Sequence, residues 1–282
     1  MTVVVVTDSS SRLKPDELER CGIRQVPLHV LIDGIDLRDG VDLVPRDLHE
    51  RGHATTAGAT PAELADTYRQ ALQDSDGDGV VAVHISAALS STYSSAVQAA
   101  REFGSAVRVV NSRSAAMGTG FVALAAARSS AAGADLSTVE AAARSAVPRG
   151  HAFIVVHRLD NLRRSGRIGT AASWLGTALS MKPLLCLDVD GRLVLAQRIR
   201  TATKAHAAMV DQVVDLVGDH AATAAVHHVD NRSVADEVAK TLAERLPQLA
   251  PPTVTDMGPV LAVHVGGGAI GVCVQLDESL AL

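Results

Sequence analysis

The chain has 282 residues, long for a single domain, and 47% of them are hydrophobic, so two sizeable cores can be filled. A net charge of −5 gives no long-range attraction to phosphate backbones or anionic lipid surfaces, and 2% aromatic content is too little for a base-stacking platform, which excludes the usual designs for nucleic-acid binding. Cys21, Cys186 and Cys273 are odd in number and widely spaced without a C-x-x-C pair, so neither a disulfide framework nor a thiolate metal site is expected, and a reducing cytoplasm fits.

The opening MTVVVVTDSS carries a short apolar run and no basic segment, unlike a secretion signal, and no apolar stretch approaches the roughly 18 residues of a membrane span. A soluble protein is expected. Val3–Val6 reads as a strand, Val80–Ile85 as another before a helix at Ser94–Arg101, and Val107–Val110 as a third before a helix at Ala115–Ala132. Short β-branched runs alternating with alanine-rich helices predict a parallel sheet with helical crossovers, whose ligand loops leave the strand C-termini.

Helix breakers at Val147-Pro148-Arg149-Gly150 predict a boundary, with an N-terminal parallel α/β domain over 1–149 and a C-terminal α+β domain over 150–282. Beyond it come Phe153–Val156, a basic helix-like stretch through Arg167, an apolar segment to Leu179, and a hairpin of Pro183–Leu187 and Leu193–Ile199. A helix at Thr203–Val217, a strand at Ala224–Val229, a helix at Val234–Leu246 and a final strand pair around His264 complete a mixed or antiparallel sheet.

Two motifs mislead. Gly266-Gly267-Gly268-Ala269-Ile270-Gly271 matches G-x-G-x-x-G, but Val272–Leu276 reads as a strand where a dinucleotide site needs a helix. Asp74-Ser-Asp76-Gly-Asp78-Gly79 copies the start of a calcium loop, yet its closing acid position is Ile85, so a helix-to-strand turn is expected. No G-x-S-x-G, P-loop or H-E-x-x-H sequence occurs, and no metal or cofactor is expected.

Five segments carry chemistry in combination: Thr7-Asp8-Ser9-Ser10-Ser11; Thr55-Thr56-Ala-Gly-Ala-Thr60-Pro61; Ile85-Ser86-Ala-Ala-Leu89-Ser90-Ser91-Thr92-Tyr93; Arg163-Arg164-Ser165-Gly166-Arg167-Ile168-Gly169; and His264-Val-Gly266-Gly-Gly268-Ala-Ile-Gly271. Taken singly, Ser, Thr and Asp at strand-to-helix junctions are commonly N-caps, worth roughly 1 kcal/mol each. Hydroxyls of Thr56, Ser90 and Thr92 beside helix N-termini can instead converge on one carboxylate. In order and spacing the five segments resemble the DegV family of fatty-acid-binding proteins over essentially the whole chain.

That resemblance implies two α/β domains with the ligand between them and a long-chain fatty acid as that ligand. Thr56 and Ser90 would hold the carboxylate with Thr92 beside them, His264 would donate a further hydrogen bond, Arg167 would sit near the head group, and Gly266 and Gly268 would let backbone approach. At about 0.8 kcal/mol per methylene, burying a chain of roughly sixteen carbons could contribute around 10 kcal/mol before ordering costs. An apolar tunnel lined by Ala171–Met181 and by parts of the helix after Met117 is expected. The resemblance also implies a non-catalytic carrier whose ligand is phosphorylated by a separate dihydroxyacetone-kinase-like fatty acid kinase. A monomer is expected, since such a carrier must expose its head-group end, and the basic stretch Arg158–Arg167 could present the docking face or be an ordinary solvated helix face.

The chain departs from the family pattern in Thr56-Ala57-Gly58-Ala59-Thr60-Pro61, where many relatives have Thr-Ser-Gln-Pro-Ser-Pro, and at Gly267, where proline is usual. Two competing readings use the same cleft. A hydrolase with Ser90 as nucleophile and His264 as base would need a group orienting the imidazole, and no carboxylate is recognisable near His264 in sequence. A small-molecule sensor would need no kinase.

Overall fold

The computed structural model describes residues 2–45, 47–48, 53–168 and 181–277. Its first part opens with β1 (Val4–Asp8), buried throughout, and a 3-10 turn (Ser9–Ser11) capped by Asp8, whose carboxylate accepts the Ser10 N–H at 3.1 Å. Then follow α1 (Pro15–Arg20), β2 (Ile23–Val26), β3 (His29–Ile32), β4 (Ile35–Arg38) and β5 (Thr55–Ala57). Next come α2 (Pro61–Asp74), β6 (Val80–His84), α3 (Thr92–Ala100), β7 (Val107–Asn111), α4 (Met117–Ala131) and α5 (Leu136–Ala146). α2 starts at Pro61 because proline's missing N–H is harmless there and because Thr60 and Glu63 form a capping box.

β1, β2, β6 and β7 form a parallel sheet in the order β2-β1-β6-β7. Chain connections diverge between β1 and β6, the switch point at which loops part to leave a crevice. Asp74–Gly79 is the turn between α2 and β6, as the sequence suggested. β3, β4 and β5 make a small antiparallel sheet, order β4-β3-β5, that the sequence did not announce. Strands of three or four residues carry too little alternation to be seen as a period.

The second part contains β8 (Gly150–Val155), α6 (Asp160–Ser165), β9 (Lys182–Leu187), β10 (Leu193–Ile199), α7 (Ala202–Val217), β11 (Ala222–His228), α8 (Arg232–Arg245), β12 (Thr253–Asp256), α9 (Gly258–Val265) and β13 (Ile270–Leu276). Its sheet runs β10-β9-β8-β13-β11-β12; only β11 and β12 pair in parallel. The molecule is α/β, with a parallel-sheet N-terminal part and a mixed-sheet C-terminal part.

One expectation is corrected. His264 lies in the last turn of a helix, α9, and not on a strand. The valine-rich run Pro259–Val265 has the composition of a strand, but Pro259 opens a helix and Gly266, at φ 79°, closes it. Burial decides the matter: Val260 and Val263 point into the core formed by β1, β2, β3 and α2. Residues 171–180 of the expected tunnel lining fall outside the described residues.

Candidate functional site

A cavity of about 500 Å³ is lined from both parts of the chain, by Thr56, Ser90 and Ser91 on one side and Arg167, His227, Met257, His264, Gly271 and Cys273 on the other. That volume is in the range of small-molecule sites, roughly 300–1,000 Å³. Its walls are mainly apolar, through Leu28, Ile85, Leu89, Ile154, Leu162 and Leu261.

Thr56 and Arg167 lie near His264, at the C-terminal end of α9. Thr56, held in β5 by its pairing with Val30, places Oγ1 2.8 Å from His264 Nε2. Burial, helped by the nearby Arg167 charge, pushes the His264 pKa down to about 4, so the ring is neutral near pH 7. Its Nδ1 is buried without a partner. An orphaned N–H is rarer than an orphaned acceptor, so the proton belongs on Nε2, which donates to Thr56 and frees the threonine hydroxyl hydrogen for an anion in the cavity.

Ser90 follows β6, and its Oγ lies 2.9 Å from Thr92 Oγ1 while accepting the Thr92 N–H at 3.2 Å. It therefore does the work of a cap at the start of α3 and also lines the cavity. Arg167 donates from Nε to the Leu89 carbonyl at 3.1 Å and from a terminal nitrogen to the Ser165 carbonyl at 2.6 Å. Two carbonyl anchors hold its cationic charge beside Ser90. Thr56, Ser90, Arg167 and His264 thus meet at one cavity, although 208 residues separate the first and last of them.

The other three nominated residues sit differently. Thr92 is fully buried behind Ser90, where it supports that hydroxyl without lining the cavity. Gly266 and Gly268 do not line it either: their positive φ angles serve the turn after α9, and an added Cβ would meet Asn161 at 3.2 Å and the His157 ring at 2.9 Å. The approach those glycines permit is to side chains of the same part. Gly58, a point of departure from the family pattern, packs tightly against the start of α3, where a Cβ would stand 2.6 Å from Thr92 Oγ1 as that side chain lies here. The cavity reaches the turn at Ala115 and Ala116 and not the body of α4, whose apolar residues fill the core beside the parallel sheet.

Sequence reasoning missed His227 and the wall made by α9. Met257, Val260, Leu261, His264 and Val265 line the cavity at i, i+3, i+4, i+7 and i+8 spacing, a signal hidden while the segment was taken for a strand. His227 is fully buried; its Nε2 accepts the Met117 N–H at 3.2 Å, Nδ1 lies 2.9 Å from Thr255 Oγ1, and burial lowers its pKa to about 3. It is a neutral clasp between β11 and α4. The arrangement suits capture of a mainly apolar molecule bearing an anionic group. It does not suit a hydrolase: the imidazole engages Thr56 and not Ser90, and its Nδ1 has no orienting carboxylate. Among the described residues no group of three or more metal-ligating side chains occurs.

A cavity between a parallel-sheet part and a mixed-sheet part, with hydroxyls, a histidine and an arginine in its wall, defines a class of α/β binding protein. The chain belongs to the DegV family, whose model matches residues 2–277. A DegV domain-containing protein of Mycobacterium tuberculosis is 63% identical over 279 residues, 99% of each chain. A solved structure described as fatty acid binding of a DegV family protein from Thermus thermophilus is 32% identical, covers 98% of this chain and 100% of its own, and superposes with a TM-score of 0.91. DegV of Bacillus subtilis, described as a fatty acid binding protein, is 26% identical over 98% of this chain and 100% of its own, with a TM-score of 0.88.

Proposed function

We propose that this protein binds one long-chain fatty acid, with the carboxylate held by Thr56, Ser90, His264 and Arg167, and presents it to a separate dihydroxyacetone-kinase-like fatty acid kinase while performing no chemistry itself. The observation that carries the reading is a mainly apolar cavity at which Thr56, Ser90, Arg167 and His264 meet. A buried carboxylate must be hydrogen-bonded or paired with positive charge, and this group offers hydroxyls and a fixed guanidinium. The fatty acids bound by the Thermus and Bacillus proteins support the choice of ligand.

A shallower cleft of about 420 Å³ shares Leu89, Ser90, Ser91 and Arg167 with the cavity, which supports a head group reachable from outside. A monomer leaves that mouth open. We take the two parts as domains meeting between Arg149 and Gly150, where a 3-10 turn carrying Pro148 leads into β8. No helix among the described residues is long and apolar enough to cross a membrane, and a carrier working in the cytoplasm accords with the free cysteines.

The test has two stages. Mass spectrometry of organic extracts should find stoichiometric fatty acid in the purified protein and less in Ser90→Ala and His264→Ala; protein that is lipid-free and cannot be loaded would refute binding. Loaded protein mixed with a fatty acid kinase and ATP should yield acyl phosphate, whereas bound acid left unphosphorylated by kinases active on other carriers would refute the presenting role alone.

A further inference from the structure

Gly271 is an unusual residue to find where it is. It lies inside β13, paired with His227 on one side and Ile154 on the other, and is flanked by the fully buried Ile270 and Val272, which face the opposite core. Its φ lies outside the left-handed region, so no turn requires glycine, and a glycine weakens a strand interior relative to alanine. What its missing side chain leaves is cavity wall. A Cβ at 271 would stand 3.0 Å from Met257 Cε and 3.3 Å from the Phe153 carbonyl oxygen.

Met257 immediately precedes α9, seven residues before His264, so the two are about 10 Å apart along the helix axis at 1.5 Å per residue. The Gly271–Met257 contact therefore lies well away from the carboxylate end. Methionine is unbranched and adapts its shape to a neighbour, unlike the fixed backbone of β8 and β13. We infer that Gly271 and Met257 together set how far an acyl chain can run: Gly271 keeps the lane open, and the Met257 thioether is its adjustable stop. This rests on the fatty-acid reading above and assigns to that site its length selection.

The experiment uses delipidated full-length protein and a homologous series of straight-chain saturated fatty acids, with dissociation constants from displacement of a fluorescent fatty acid. Gly271→Val should hold the shortest acids as the wild type does and lose the longer ones by about fourfold per excluded methylene. Met257→Ala, which removes the stop without adding bulk, should move the preference toward longer acids; it decides the question by itself if Gly271→Val does not fold. Equal weakening at every length in Gly271→Val, or an unchanged length profile in Met257→Ala, overturns length selection while leaving fatty-acid binding intact. A wild type that binds none of the series overturns the binding reading and length selection with it.

Discussion

His264 Nε2–H donates to Thr56 Oγ1, 2.8 Å away, in surroundings that keep the imidazole neutral. The threonine is therefore the group through which the histidine acts on an anion. Thr56→Val keeps nearly the same volume and removes the hydroxyl. A hydrogen bond to a charged group contributes about 1.5–3 kcal/mol, so the fatty acid dissociation constant should rise by about ten- to hundredfold. Titration with a fluorescent fatty acid reads this directly, and an unchanged constant would place the carboxylate elsewhere. Thr56 and His264 were recognisable in the sequence through the company they keep. Gly58 and Gly271 were not, because the tight space at each is set by atoms elsewhere in the chain, Thr92 Oγ1 for the one and Met257 Cε for the other.

Elements are tied to one another by buried polar bonds beneath the site. Tyr68 of α2 places its hydroxyl 2.8 Å from His84 Nε2 of β6, and His84 Nδ1 lies 3.0 Å from Asp8 Oδ2 of β1, all three residues being fully buried. Burial and the Asp8 charge raise the Tyr68 pKa, so the phenol keeps its proton and donates to Nε2, while Nδ1–H faces the carboxylate. Tyr68→Phe leaves Nε2 bare in an apolar core and should destabilise the protein by about 1–3 kcal/mol, visible as a lower urea midpoint at unchanged slope. An unmoved midpoint would mean that the ring packing alone matters. The helix–strand alternation around these residues was legible because β1 and β6 are short apolar runs followed by alanine-rich helices. α9 was not legible, because its valines are strand formers and only their burial against the N-terminal core makes the helical choice.

At the scale of the molecule, the cavity lies on a seam closed by bonds from one part to the other. Arg12 donates to the Asp256 carbonyl at 3.2 Å, Ser86 donates to the Gly191 carbonyl at 2.8 Å, and the Met117 N–H meets His227. Two histidines near this seam are held neutral, chiefly by burial, with His227 at about 3 and His264 at about 4. A histidine whose folded pKa lies below its unfolded value of about 6.5 leaves stability intact above that pH and withdraws it as the pH falls toward the folded value. Fatty-acid-free protein should therefore lose about 2 kcal/mol for each of these two residues between pH 6.5 and 5, above the range in which most carboxylates titrate. Chemical denaturation across that window measures it; half the loss would show that one of the rings is charged in the fold, and flat stability that both are. Loading should blunt the His264 share, because a carboxylate beside the ring favours its protonated form.

The amino-acid sequence by itself determined the α/β class, the parallel and mixed halves, the absence of a recognisable nucleotide or metal motif, and a set of hydroxyl, histidine and arginine residues whose order matches one family. Those properties are local, or are spacings along the chain, and hydrophobic period and turn chemistry write them directly. Only the tertiary structure decided which nominated residues share a cavity, that Gly266 and Gly268 serve a turn while Gly58 and Gly271 make room, and that His227 belongs to the wall. Those facts depend on distances between residues far apart in sequence, which become fixed only when the two parts pack together.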